Sequence, residues 1–155
     1  MEPAIRWGIL GAGGIASVFT ENLLAEGLHA QAVGARDGAR AQAFADRFGI
    51  AIAHAGYEAL VADPEVDAVY VATTHNFHAE HALLAIAAGK PVLVEKAFTV
   101  TATEARRVAE ASRAAGVFAM EAMWTRFLPS TDFVRSRIAD GSLGDVRALI
   151  TDHSQ

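Results

Sequence analysis

The sequence has no cysteine, which excludes disulfides, thiolate zinc sites and thiol nucleophiles together. It has no apolar run near the roughly eighteen residues that a membrane helix needs, and Met1-Glu2-Pro3-Ala4 lacks the basic segment that opens a secretory signal. No window gathers Lys and Arg into a stripe that would follow phosphates along a nucleic acid: 13 basic side chains stand against 18 acidic ones, a net charge of −5. Internal repeats and low-complexity segments are missing as well. These absences lead to the expectation of a soluble, cytoplasmic protein that binds neither nucleic acid nor membrane. At 155 residues the chain has the length of one ordinary domain and is short for two.

What is present is regular. Hydrophobic residues make up 52% of the chain, a composition suited to a buried parallel sheet under Ala-rich helices. The apolar run 5–10 ends at Gly11, and Ile15, Val18, Phe19 and Leu23 then recur at helical spacing, so a strand, a glycine turn and a helix are predicted. A second run, 29–36, precedes Ala41, Phe44, Ala45 and Phe48 on one helical face. Residues 67–73 read as a buried strand and 77–88 as a helix with Ala79, Ala82, Leu83 and Ile86 inward. Another strand is expected at 91–95, a helix from the capping-box pair Thr101 and Glu104 to Ala115, and a strand at 117–122. This alternation predicts an α/β fold with a doubly wound parallel sheet. Beyond Trp124 the pattern changes to a helix opened by Pro129, a turn from Gly141 to Gly144, and an alternating strand at 146–151.

Gly11-Ala12-Gly13-Gly14-Ile15-Ala16 fits G-x-G-x-x-A between the first strand and helix. Gly11 permits the tight turn, Gly13 lets the backbone approach a pyrophosphate, and Ala16 allows close packing of helix on strand. The free N–H groups at the helix start, Gly14 and Ile15 among them, would hold phosphates with the help of the helix dipole. The competing reading is a plain tight turn. At the end of the second strand stand Arg36, Asp37 and Arg40. Two guanidiniums suit the 2′-phosphate of NADP, whereas Asp37 could serve the free ribose hydroxyl of NAD or simply cap the next helix.

Together with Ala35-Arg36-Asp37, Ala87-Ala88-Gly89-Lys90-Pro91-Val92, Glu95-Lys96-Ala97 and the stretch Met120-Glu121-Ala122-Met123-Trp124-Thr125-Arg126-Phe127-Leu128-Pro129, these features give a specific pattern. The sequence resembles the glucose–fructose oxidoreductase/inositol dehydrogenase family, most nearly its dihydrodiol and D-xylose dehydrogenase branch. The resemblance implies a Rossmann domain over 1–124, with 125–155 the crossover helix and first strand of a largely missing α+β substrate domain. It implies hydride transfer between a nicotinamide cofactor, NADP with NAD as the alternative, and a hydroxyl-bearing carbon of a sugar, polyol or cyclic diol. Lys96 would contact the substrate hydroxyl and move its proton, with Glu95 beside it at the strand end; Ala97 departs from the proline usual in the motif. Thr73, Thr74 and His75 would line the ribose and nicotinamide, and His78 and Trp124 would lie near substrate, with capping, bracing or core-filling as their other readings. His75, His78 and His81 suggest a metal at first sight, but no completing ligand is spaced for one, and none is expected. A binding module or inactive subunit is the competing function. Taken alone, the chain is expected to bind cofactor without turnover and to form a homo-oligomer through the edge of its last strand.

Overall fold

A computed structural model of the chain describes residues 4–151. Strand β1 (Trp7–Leu10) leads through the glycine loop into α1 (Gly14–Ala25), and β2 (Ala30–Ala35) into α2 (Gly38–Phe48). Then follow β3 (Ile52–Ala55), α3 (Tyr57–Ala62), β4 (Ala68–Val71), a 3₁₀ turn at His75–Phe77 and α4 (His78–Ala87). The series closes with β5 (Val92–Val94), α5 (Ala102–Ala115) and β6 (Ala119–Glu121). The six strands form one sheet of order β3-β2-β1-β4-β5-β6 with every pair parallel. This is a Rossmann fold, the doubly wound architecture that the alternation predicts.

Burial explains why the strands read as continuous apolar runs. Successive residues of β4 face opposite sides: Val69 and Val71 join a core with Leu60, Ala82, Ile86 and Val108, while Tyr70 joins one with Ile9, Ala16, Val33 and Phe44. The first core packs against α3, α4 and α5, the second against α1 and α2, so both faces of the sheet are covered. Thr101 and Glu104 form the expected capping box, Thr101 accepting the Glu104 N–H and Glu104 accepting the Thr101 N–H.

Three elements differ from expectation. The periodicity shows neither β3 nor α3, because a strand of four residues and a helix of six are too short to establish a period. The strand expected over 146–151 is not formed. Alternation supplies a strand with two faces, but a strand also needs a neighbour for its backbone N–H and C=O groups, and the sheet holds only β1 to β6.

The described residues fall into two compact units that divide between Ala122 and Met123. Within the second, a 3₁₀ turn at Trp124–Phe127 leads into α6 (Pro129–Ala139), which opens on Pro129 as its sequence suggests. Thr131 Oγ1 donates to the Thr125 carbonyl at 2.7 Å and ties helix to turn. Among the described residues no helix is long and apolar enough to cross a membrane.

Candidate functional site

A cleft of about 930 Å³ opens at the carboxyl ends of β1, β2 and β4, where the strand order reverses. Its floor is the glycine loop. Gly11 has φ +110°, donates its N–H to the Gly34 carbonyl at 2.8 Å, and would bring a Cβ within 3.0 Å of the Ala72 carbonyl oxygen. It shapes the turn. Gly13 is extended, with φ −107°, and a Cβ on Gly13 or Gly14 would meet nothing within 4 Å. No side chain caps the start of α1 and no acid occupies its first turn. The loop is thus an open cradle with helix N–H groups at its back, and its residues fit a pyrophosphate. Ile15 lines the cleft, while Ala16 is fully buried beneath it, where it packs helix against sheet.

The end of β2 brings Arg36, Asp37 and Arg40 to the same cleft. The Arg36 guanidinium carbon lies 5.9 Å from the Phe77 ring centroid, and Arg40 Nη2 donates to the Ala12 carbonyl at 3.4 Å. Asp37 accepts the Ala39 N–H at 2.9 Å as the N-cap of α2. Only one of its two carboxylate oxygens is used by the helix.

The opposite wall comes from β4 and the helices beside it. Thr73 and Thr74 line it; Thr73 Oγ1 meets His81 Nδ1 at 2.9 Å, and Thr74 Oγ1 donates to Asn76 Oδ1 at 2.9 Å. Tyr57 contacts the His81 ring edge-on at 4.5 Å, and Phe77 stacks over it at 5.7 Å. Burial lowers the pKa of His81, with Glu80 pulling the other way. Tyr57, Glu58, Phe77, Glu80 and His81 are lining residues that sequence reasoning missed. Tyr57 and Glu58 lie on the unanticipated α3; the i, i+4 spacing of Phe77 and His81 was the one available signal.

One strand further on, the chain leaves β5 into the segment that carries Lys96. The Glu95 N–H donates to the Val71 carbonyl at 3.0 Å. The buried Tyr70 hydroxyl donates to Glu95 Oε1, and the Lys96 N–H donates to Glu95 Oε2 at 3.1 Å. Lys96 is exposed, and its peptide bond to Ala97 is cis. Phe98 N–H donates to Glu121 Oε1 at 2.8 Å. His78 is buried, with Nδ1 2.8 Å from the Ala97 carbonyl oxygen and Nε2 3.0 Å from that of Thr73. Carbonyl oxygens only accept, so a neutral ring can donate to one of them at a time. His78 therefore ties the cleft wall to the Lys96 segment.

Glu95, Lys96, His75 and His78 stand beside the cleft rather than in its lining. His75 is exposed, its ring 5.5 Å from that of His78. Trp124 is an exposed residue of the second compact unit. Among the described residues no three His, Asp or Glu side chains are grouped to hold a metal ion.

Residues 5–123 match an oxidoreductase family with an NAD-binding Rossmann fold, that of glucose–fructose oxidoreductase and inositol dehydrogenase. The chain is 44% identical over 147 residues to the trans-1,2-dihydrobenzene-1,2-diol dehydrogenase of Mus musculus, covering 93% of itself and 44% of that protein. It is 42% identical over 163 residues to the D-xylose 1-dehydrogenase (NADP(+)) of Hypocrea jecorina, covering 97% of itself and 42% of that enzyme. A 3-ketoreductase from Actinomadura kijaniata, solved with NADP and TDP-benzene, superposes with a TM-score of 0.82 at 35% identity, over 94% of this chain and 45% of that one. The chain spans less than half the length of the curated relatives it matches.

Proposed function

The chain belongs to the glucose–fructose oxidoreductase/inositol dehydrogenase family of oxidoreductases, and on that premise we propose that it forms the cofactor-binding half of an NADP(H)-dependent dehydrogenase. The substrate is a hydroxyl-bearing carbon of a sugar or cyclic diol, the classes acted on by the dihydrodiol and D-xylose relatives. The observation that carries the cofactor reading is the open cradle at Gly13 and Gly14 flanked by two arginines.

Each residue then has a task. Gly11 sets the turn, and the N–H groups of Gly13, Gly14 and Ile15 hold the pyrophosphate. Arg36 and Arg40 clamp the 2′-phosphate. Asp37 caps α2 through Oδ1 and leaves Oδ2 open to the cleft, so the two arginines, not the carboxylate, carry the preference for NADP over NAD. Thr73 and Thr74 line the neighbouring wall. The bound nicotinamide supplies the acceptor or donor of hydride. Lys96 holds the substrate hydroxyl and, as the neutral amine, would take its proton while hydride leaves the same carbon for the cofactor.

The chain's spanning under half the length of its relatives supports a second reading, cofactor binding without turnover. Calorimetric titration with NADP⁺ and NAD⁺, beside assays on D-xylose and cyclic diols, tests both readings. Tighter binding of NADP⁺ with no turnover is expected. Equal affinities would remove the NADP assignment, and steady turnover abolished by Lys96→Met would show that the chain is active by itself.

A further inference from the structure

The Lys96 segment is exposed, yet its backbone is fastened on both sides by carboxylates, that of Glu95 next to it in sequence and that of Glu121 from the end of β6. The Lys96 N–H, two residues past the end of β5, ends on Glu95 Oε2, and the Phe98 N–H ends on Glu121 Oε1. The two N–H groups on either side of Ala97 are thus both held by carboxylates, the stronger class of hydrogen bond. Each carboxylate must itself be fixed for the bond to aim anything. Glu95 is fixed by the Tyr70 hydroxyl on its other oxygen, and Glu121 by its place as the last residue of β6.

Tyr70 is the odd residue of this arrangement. Its neighbours in β4 are Ala68, Val69 and Val71, its ring stacks on Phe19 at 3.8 Å, and only 1% of its surface is exposed. Phenylalanine would fill the same space without burying a hydroxyl, whose burial is unfavourable unless it is bonded. Burial and the Glu95 carboxylate push the phenol's pKa up, so the hydroxyl remains a donor and does not pass protons.

We propose that Tyr70, acting through Glu95, and Glu121 are positioning residues that aim Lys96. This rests on the reading of Lys96 as a group of the reaction site. In this chain Ala97 stands where the family motif has proline, and the aim of the lysine is set by hydrogen bonds from β4 and β6.

The sequence makes the test clean, because it has only two lysines, Lys90 and Lys96. Lys90 is an internal control: its Nζ donates to the Asp63 and Val66 carbonyls at the opposite edge of the sheet. The full chain is reductively methylated with ¹³C, and the two dimethyl-lysine signals are followed by NMR through a pH titration. Tyr70→Phe removes the hydroxyl and keeps the stack on Phe19. Glu121→Ala removes the acceptor for Phe98, whereas Glu121→Gln retains one. Tyr70→Phe and Glu121→Ala should each move the Lys96 signal and shift its midpoint by a few tenths of a unit or more. Glu121→Gln should restore the wild-type signal, and Lys90 should not respond. A Lys96 signal unchanged in folded Tyr70→Phe and Glu121→Ala overturns the proposal, as does equal movement of Lys90, which would mean general loosening. Should Tyr70→Phe fail to fold, the Glu121→Ala and Glu121→Gln pair decides. Adding NADP⁺ to the wild type tests the underlying reading separately: Lys96 should shift and Lys90 should not, and a Lys96 blind to NADP⁺ would overturn its place in the site whatever the variants show.

Discussion

The two loops that leave the carboxyl edge of the sheet, one after β1 and one after β5, are built on opposite principles. After β1 the chain offers backbone and empty space: Gly13 and Gly14 leave room for atoms that are not protein, and no side chain takes the N–H groups at the start of α1. After β5 the hydrogen-bonding groups are largely taken, with bonds at Glu95, Lys96, Ala97 and Phe98, and the lysine side chain is left exposed. A phosphate is bound by leaving donors unsatisfied and a path to them open. A reacting side chain is aimed by satisfying everything around it. The same sheet edge carries both devices.

That contrast breaks most completely at Gly13. Gly13→Val adds a branched side chain at a position whose Cβ meets no protein atom within 4 Å, so NADP(H) affinity should fall by more than about a hundredfold while circular dichroism and melting stay native. Retained affinity would mean that the loop is a turn and nothing more. Next in size is Arg36→Ala, which removes a charge-assisted contact of about 1.5–3 kcal/mol and should weaken NADP⁺ by roughly 10- to 100-fold. NAD⁺ affinity should stay unchanged, and a parallel loss of both cofactors would place Arg36 elsewhere than at the 2′-phosphate.

Gly11→Ala sharpens the comparison from within the loop. At φ +110° and 3.0 Å from the Ala72 carbonyl, the added methyl strains the turn itself. Stability should drop by about 1–3 kcal/mol in urea titration, unlike the Gly13 variant. Equal stability of the two variants would contradict the division of labour between these glycines.

The smallest effect concerns the amino edge, away from both loops. Burial alone would raise the pKa of Asp63, but the Glu65 N–H and His54, with the charge of Lys90, hold it below its ordinary 3.8. Arg6 likewise holds Asp67 down to about 2. Both pKa values are depressed on folding, so their contributions are complete above the ordinary carboxylate range and vanish as pH falls through the folded values. Asp63→Asn should flatten the acid limb of a stability-versus-pH curve below pH 4 by on the order of 1 kcal/mol and leave NADP⁺ affinity at neutral pH untouched. An affinity change as large as the stability change would link the amino edge to the site.

The half of this arrangement that depends on local chemistry was legible in the sequence. Glycine spacing, the arginines after β2 and the capping box are read over a few residues, and each lies where its spacing predicts. What was not legible depends on pairing across distance. Tyr70 and Glu95 are 25 residues apart and Phe98 and Glu121 are 23, and no periodicity announces either bond. The wall residues Tyr57 and Glu58 were hidden with α3, too short to show a period. At 146–151 the reverse holds: the alternation is visible, but a strand is a relation to a neighbour, and the sheet provides none there.

The central claim, that a dinucleotide lies on the open glycine loop, is tested most directly by amide NMR of the ¹⁵N-labelled chain during titration with NADP⁺. The account predicts the largest shifts at the N–H groups of Gly13, Gly14 and Ile15, with Arg36 and Arg40 responding to NADP⁺ more than to NAD⁺. Largest shifts at the amino edge, around Asp63 and Lys90, with a silent glycine loop would contradict it.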